Sequence, residues 1–195
     1  MTRIIAGSAR GRRLAVPPTG TRPTSDRVRE ALMSALEHEL GSLGGAAVAD
    51  LYAGTGAVGL EALSRGAAHA LLVDKDRKAV ATLTANVATV GIPGAVVLGD
   101  DVVRLAGSVP PPRAQAPYDL VFADPPYDVP DATVEEILSG LAVNGWLADG
   151  SLVVVERARP RRGEPFAWPE GYEPRKDRAY GDTLVRTALW YGRDA

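Results

Sequence analysis

Cysteine is absent from the 195 residues, which excludes disulfides, thiolate metal sites and cysteine nucleophiles at once. Histidine is almost absent. His38 and His69 are the only two, neither has a partner at ligand-like spacing, and no metal site is expected. No apolar run approaches the ~20 residues of a membrane span, and no signal-peptide pattern is present. A soluble cytoplasmic protein is therefore expected. No segment repeats and none is of low complexity. The length suits one domain with a small appendage, able to bury roughly 70% of its unfolded surface without a staple.

Net charge is only −2, but it is unevenly spread. Residues 1–23 carry Arg3, Arg10, Arg12, Arg13 and Arg22 and no acid. Arg157, Arg159, Arg161 and Arg162 form a second basic cluster, and the acids lie mostly mid-chain. A basic arm on an acidic body fits contact with a polyanion; it also fits an ordinary solvated face. The arm is all arginine, which forks onto phosphate and stacks on bases as lysine does not.

Residues 3–8 and 12–17 read as two short strands turning across Gly7 to Gly11, a basic hairpin ended by Pro17-Pro18. Thr24, Ser25 and Asp26 are candidate caps of a helix over 27–40, with Val28, Leu32, Ala35 and Leu36 on one side. Gly41, Gly44 and Gly45 close it, and the domain edge is placed there: an extension over 1–41 and a core domain over 42–195. Strands then alternate with helices. Strands are expected over 46–51, 70–73, 95–98, 120–122 and 152–156, with helices over 60–65, 78–90 and 134–141. Two last strands, near 172–180 and 183–191, read as a hairpin across Gly181-Asp182. That alternation implies a mostly parallel sheet with an antiparallel edge. Residues 108–117 are proline-rich and read as a surface loop.

The fourth strand carries the most distinctive stretch, Tyr118-Asp-Leu-Val-Phe-Ala-Asp-Pro-Pro-Tyr127. Pro125 and Pro126 must end the strand and push Asp124 towards an extended conformation. This leaves a rigid corner at a strand's carboxyl end, where open α/β sheets bind ligands. It offers a carboxylate, free carbonyls and the Tyr127 ring, a set suited to a planar amine such as a nucleobase. The plainer reading is a Pro-Pro turn with a helix-capping Asp.

Upstream, Asp50-Leu-Tyr52-Ala-Gly54-Thr55-Gly56-Ala-Val-Gly59 holds a G-x-G-x-x-G between a strand and a helix. The string also fits a dinucleotide site. Asp74, at the next strand end, is placed to accept ribose hydroxyls. Asp50, however, would repel a pyrophosphate and suits a cationic, amino-acid-bearing ligand such as S-adenosylmethionine. Asp100 and Asp101 end the third strand, where an adenine edge would lie; either also reads as a helix cap.

The set Asp50-x-x-x-Gly54-x-Gly56, Asp74, Gly99-Asp100 and Asp124-Pro-Pro-Tyr127 resembles class I S-adenosylmethionine-dependent methyltransferases acting on exocyclic amines. The N-terminal R-x-x-x-G-x-x-R-G-R-x-L (Arg3 to Leu14) and R-P-T-x-D-R-V-R-E-A-L (Arg22 to Leu32) are similar to those of the RsmD family. That family methylates guanine N2 in bacterial 16S ribosomal RNA. The resemblance covers nearly the whole chain. It implies a Rossmann-like, mostly parallel seven-stranded sheet with a C-terminal antiparallel hairpin, plus the N-terminal hairpin and helix. Asp50 would orient the cofactor's amino-acid end, and Tyr52, Gly54, Thr55 and Gly56 would line its methionine part. Asp74 would hold the ribose; Asp100 and Asp101 would read the adenine. Asp124 and the Pro125 carbonyl would accept the guanine N2 hydrogens beside Pro126, Asp124 being also able to accept from N1–H, with Tyr127 stacked on the flipped base. Arg3, Arg10, Arg12, Arg13, Arg22, Arg27 and Arg29 would contact RNA; Arg27 and Arg29 also read as plain helix charges. Where many relatives carry Glu, this chain has Asp74. The implied partner is 16S rRNA, in the small subunit or its assembly intermediate, with a monomeric enzyme. The rivals are a DNA adenine or cytosine amino-methyltransferase, a nucleotide-binding oxidoreductase and a non-catalytic RNA-binding module.

Overall fold

The computed structural model describes residues 2–17, 26–159 and 166–192, without the side chains of Asp26 and Arg27. Strands β1 (Thr2–Arg3) and β2 (Arg13–Leu14) precede helix α1 (Asp26–Leu40). Next come β3 (Ala47–Leu51), α2 (Ala57–Ser64), β4 (His69–Asp74), α3 (Arg77–Val90), β5 (Ala95–Gly99) and α4 (Val102–Ala106). The chain continues through β6 (Tyr118–Ala123), α5 (Asp131–Val143) and β7 (Leu147–Ala158), then β8 (Tyr172–Pro174), β9 (Arg178–Tyr180) and β10 (Thr183–Trp190). The main sheet has the order β5-β4-β3-β6-β7-β10-β8, with β9 also paired to β10. β3 to β7 run parallel and β10 runs antiparallel to β7.

This is the α/β architecture expected, with one refinement at the edge. The seventh strand position is shared by β8 and β9, so the sheet counts eight strands. Pro174 pairs with Ala188 and Arg178 with Val185, so the edge holds one residue more than β10 opposite it. A bulge at an edge proline splits the strand and discourages pairing with another chain.

Strand residues alternate between two cores, as the two-residue period requires. Val48, Leu72, Leu120, Phe122, Leu152 and Val154 pack with helices α1, α2 and α3 on one face. Ala49, Leu71, Val121, Val153 and Val155 pack with α4 and α5 on the other. The order reverses between β3 and β6, whose carboxyl ends therefore open a crevice at the switch point.

The N-terminal hairpin is shorter in pairing than expected, with two residues per strand. Its middle is fastened to α2 instead. Glu61, fully buried, accepts from the Ile5 and Ala6 amides at 2.7 and 2.9 Å and from Arg65 Nε at 3.0 Å. The Ser64 carbonyl accepts from the Ser8 amide at 2.8 Å. Gly7 lies so close that an added methyl would stand 1.8 Å from that carbonyl oxygen. Ile4, Leu14, Leu32 and Leu36 share one core with Leu60, Leu63 and Leu83, so apolar packing is continuous across residue 42.

The proline-rich segment is not wholly a surface loop. Its short 3-10 turn, Pro112–Ala114, buries Ala114, whose carbonyl accepts from the Tyr118 hydroxyl and lies 2.9 Å from His69 Nε2.

Removing the Glu61 carboxylate leaves two buried amides and Arg65 without their acceptor. We expect Glu61→Ala to lose about 2–4 kcal/mol of stability, given roughly 1.5–3 kcal/mol for each hydrogen bond to a charged group and their incomplete additivity. Urea unfolding reads the loss, and hydrogen exchange should accelerate at Ile5 and Ala6. Unchanged exchange at those amides would contradict the docking.

Candidate active site

The turn after β3 is held by backbone geometry that its residues strain to adopt. Tyr52 has φ 62, a left-handed conformation that costs a non-glycine residue of order 1 kcal/mol or more. Gly56 has φ 77, and a methyl there would meet Leu83 Cδ2 at 2.8 Å. Gly59 packs α2 against the sheet: a methyl would lie 2.3 Å from Leu72 Cδ2. That close approach lets the Gly59 amide donate to Asp50 Oδ2 at 2.9 Å. Asp74 pins the same turn from β4, accepting from the Gly54 amide at 3.0 Å and the Asp76 amide at 2.9 Å.

One cleft is lined by Asp50, Tyr52, Ala53, Gly54, Thr55, Asp124 and Glu156, together with Thr2, Arg29 and Leu32 of the N-terminal segment. The structure thus brings Asp50, the glycine turn and Asp124 together from two separate stretches of sequence. Asp50 is buried, and among the described residues it forms no ion pair. Burial pushes its carboxyl up to about 8; the charges of Asp124 and Asp74 add to the rise and the Gly59 amide opposes it. Burial raises Asp124 to about 6, against the pull of Arg157. Glu156 rises to about 7, through burial and then the Asp124 charge.

Arg157 fixes the Pro-Pro corner. Its guanidinium donates to the Pro126 carbonyl at 3.4 Å, the Val129 carbonyl at 2.7 Å and Asp131 Oδ1 at 2.8 Å. The Pro126 carbonyl also accepts from the Val129 amide at 3.0 Å. Pro125 is buried, Pro126 is exposed, and the Tyr127 ring is 54% exposed at the mouth, with its hydroxyl 3.4 Å from Thr183 Oγ1.

Asp101 caps α4, accepting from the Val103 and Arg104 amides, and pairs with Lys75 at 3.1 Å. Those contacts, the Lys75 hydrogen bond foremost, hold its carboxyl below the usual range. Asp100 is engaged by Arg104 and by the Asp101 amide. Both therefore stand beside the Asp74 strand end, with side chains already bonded.

The arginines divide. Arg3, Arg10 and Arg13 are exposed, and Arg3 and Arg10 line a second, shallow cleft. Arg12 reaches the Val90 carbonyl and caps the carboxyl end of α3, where a cation is favoured. Arg29 is a correction: it is buried, lines the main cleft and donates to the Arg3 carbonyl, so it is not placed on a surface open to an RNA backbone. Arg22 and the Arg27 side chain lie outside the described residues. Glu156, Arg157 and Thr183 were not singled out from sequence for the site. Glu156 carried the same signal as Asp74, an acid closing an apolar strand.

A family model described as conserved hypothetical protein 95 matches residues 2–189. The ribosomal RNA small subunit methyltransferase D of Escherichia coli is 37% identical over 194 residues, 99% of this chain and 90% of that one. The chain belongs to the RsmD family. The protein of the same name from Haemophilus influenzae is 33% identical, covering 94% of this chain and 91% of its own. Among solved structures, the Escherichia coli protein yhhF superposes with a TM-score of 0.81 at 36% identity, covering 98% of both chains. The magnesium protoporphyrin IX methyltransferase of Synechocystis, solved with bound SAM, shares the fold (TM-score 0.59, 19% identity, 88% and 86% covered).

In this RsmD-family chain Arg157 both clamps the corner and supplies a counter-charge to Asp124. Arg157→Met keeps length and removes the charge. We expect the Asp124 carboxyl to titrate above about 6, moving upward because the lowering influence is gone. Carbon-13 NMR titration of the aspartate side chains reads it; an unmoved Asp124 would contradict the assignment.

Proposed function

We propose that this chain transfers a methyl group from S-adenosylmethionine to the exocyclic N2 of a guanine in 16S ribosomal RNA, as a cytoplasmic enzyme acting on the small subunit or its assembly intermediate. The observation that carries the reading is the shared cleft: Asp50, a buried carboxyl with no ion-pair partner among the described residues, lies with Asp124, a carboxyl at a corner suited to hold an amine. The relatives' names support the RNA substrate, since two carry the words ribosomal RNA small subunit methyltransferase.

The residues present fit the cofactor. When bound, S-adenosylmethionine supplies an electrophilic methyl on a sulfonium. Asp50 provides the negative charge that a sulfonium and an ammonium require. The turn from Tyr52 to Gly56 offers backbone that no side chain shields at Gly54 and Gly56. Asp74 is suited to ribose hydroxyls through the lone pairs that the Gly54 and Asp76 amides leave. Asp100 and Asp101 flank the adenine side.

On the substrate side, Asp124 and the Pro125 carbonyl accept the N2 hydrogens and so turn the nitrogen lone pair towards the methyl. The Pro126 carbonyl is already taken by Arg157 and Val129, which leaves Pro125 as the acceptor in the corner. Tyr127, exposed at the mouth, offers its face to an extruded base. Positioning of this kind is worth roughly 7–11 kcal/mol. No strong base is needed, because the amine becomes acidic once alkylated; Asp124 receives the proton.

The test is methyl transfer to small ribosomal subunits and to protein-free 16S rRNA, with the product mapped by mass spectrometry. We expect N2-methylguanosine at a single position. Asp124→Ala should lower the rate by a hundredfold or more, on the scale of losing one aimed hydrogen-bonding group, with S-adenosylhomocysteine affinity nearly intact. A methyl on another base, or transfer only to DNA, would contradict the reading.

A further inference from the structure

β7 brings a second carboxylate to the substrate side of the cleft. In the parallel pairing of β6 with β7, Phe122 stands beside Val154 and Ala123 beside Val155. Continued one step past the last paired residues, the same register would put Asp124 beside Glu156, about 4.8 Å apart in backbone spacing, and the Asp124 charge does act on the Glu156 carboxyl. Both project on the face of Phe122 and Val154, the same face as Asp50, and both line the cleft with Arg29. Glu156 is 5% exposed and, among the described residues, has no ion-pair partner. Thr183 opposes the rise in its carboxyl, and the Thr183 hydroxyl is 3.4 Å from that of Tyr127. A carboxylate is costly to bury, and this one has only a neutral threonine to oppose that cost, near the ring proposed to stack on the base.

We propose that Glu156 is a specificity-determining residue that accepts the N1–H of the target base, making the cleft selective for guanine. This deepens the function proposed above and rests on it. Guanine presents N1–H and N2–H₂ side by side, three donors along one edge. Asp124 and the Pro125 carbonyl take the amine; Glu156, its lateral neighbour, takes the ring N–H. Adenine has a lone pair at N1, which faces the carboxylate with repulsion. Burial and the Asp124 charge raise the Glu156 carboxyl, and a donor edge would offset both.

The probe is 2-aminopurine, which keeps the N2 amine but has a bare lone pair at N1 and no O6. It is placed by ligation at the mapped position of the RNA, beside a guanine control. The native protein should prefer guanine by at least ~10-fold in kcat/KM, the scale of one lost polar contact. In Glu156→Gln the amide N–H can donate to that lone pair, so the preference should narrow about tenfold while S-adenosylhomocysteine affinity stays unchanged. A ratio unaltered by the substitution, or no native preference, overturns the assignment. If Glu156→Gln fails to bind S-adenosylhomocysteine, Glu156→Asp, which withdraws the carboxylate by one carbon, must narrow the ratio instead; an unaltered ratio there overturns it equally. Failure of the native protein to methylate the guanine control defeats the proposed function itself and is thereby distinguished.

Discussion

Carboxyl groups crowded into one cleft are the constraint on which this structure turns. Three acids, Asp50, Asp124 and Glu156, project from neighbouring strand ends onto one face of the sheet and line one cleft. Burial raises all three carboxyls. A fold gains nothing in stability from such an arrangement; replacing such groups with apolar ones is often neutral or stabilising. The surrounding contacts read as devices to keep the acids there. Gly59 approaches close enough to donate to Asp50, and Arg157 steadies the corner beside Asp124. Strain at Tyr52 belongs to the same site.

The N-terminal segment belongs to this site as much as to the surface. Thr2, Arg29 and Leu32 line the cleft together with Asp124. Asn86 on α3, buried, accepts from the Ala15 amide and donates to the carbonyls of Ala15 and Thr55. One side chain therefore joins the arm to the glycine turn. Glu61 and Ser64 fasten the other end of the arm. The exposed Arg3, Arg10 and Arg13 are carried on a segment whose backbone is anchored in the core.

Much of this was legible in the sequence, and the reason is local. A glycine turn between an apolar strand and a helix, an acid at a strand's end, and a Pro-Pro stop are each written within about ten consecutive residues. They fixed where Asp50, Asp74 and Asp124 would lie, and the closing hairpin at Gly181-Asp182. What escaped depends on contacts between distant segments. Nothing within its own helix marks Glu61 as the acceptor of the Ile5 and Ala6 amides, 55 and more residues away. Arg29 looked like a surface charge because nothing nearby shows that its helix face turns into the cleft. Ala114 carries no polar signal, yet its burial draws the proline-rich segment inward. Glu156 did carry the strand-end signal, but its meaning came only from the register that sets it beside Asp124.

Burial favours the uncharged form of Asp50 until a cation arrives. Its raised carboxyl favours the protonated form below about 8, so ionisation costs stability as pH climbs from the usual carboxylate range through that value. A bound sulfonium and ammonium would reverse that preference and expel the proton. The most direct measurement is titration calorimetry of S-adenosylmethionine at pH 7 in two buffers of different ionisation enthalpy, for the native protein and Asp50→Asn. The account predicts that the native protein releases most of one proton more than the variant, and that the difference fades well above pH 8. Equal proton release by the two proteins at pH 7 would contradict it.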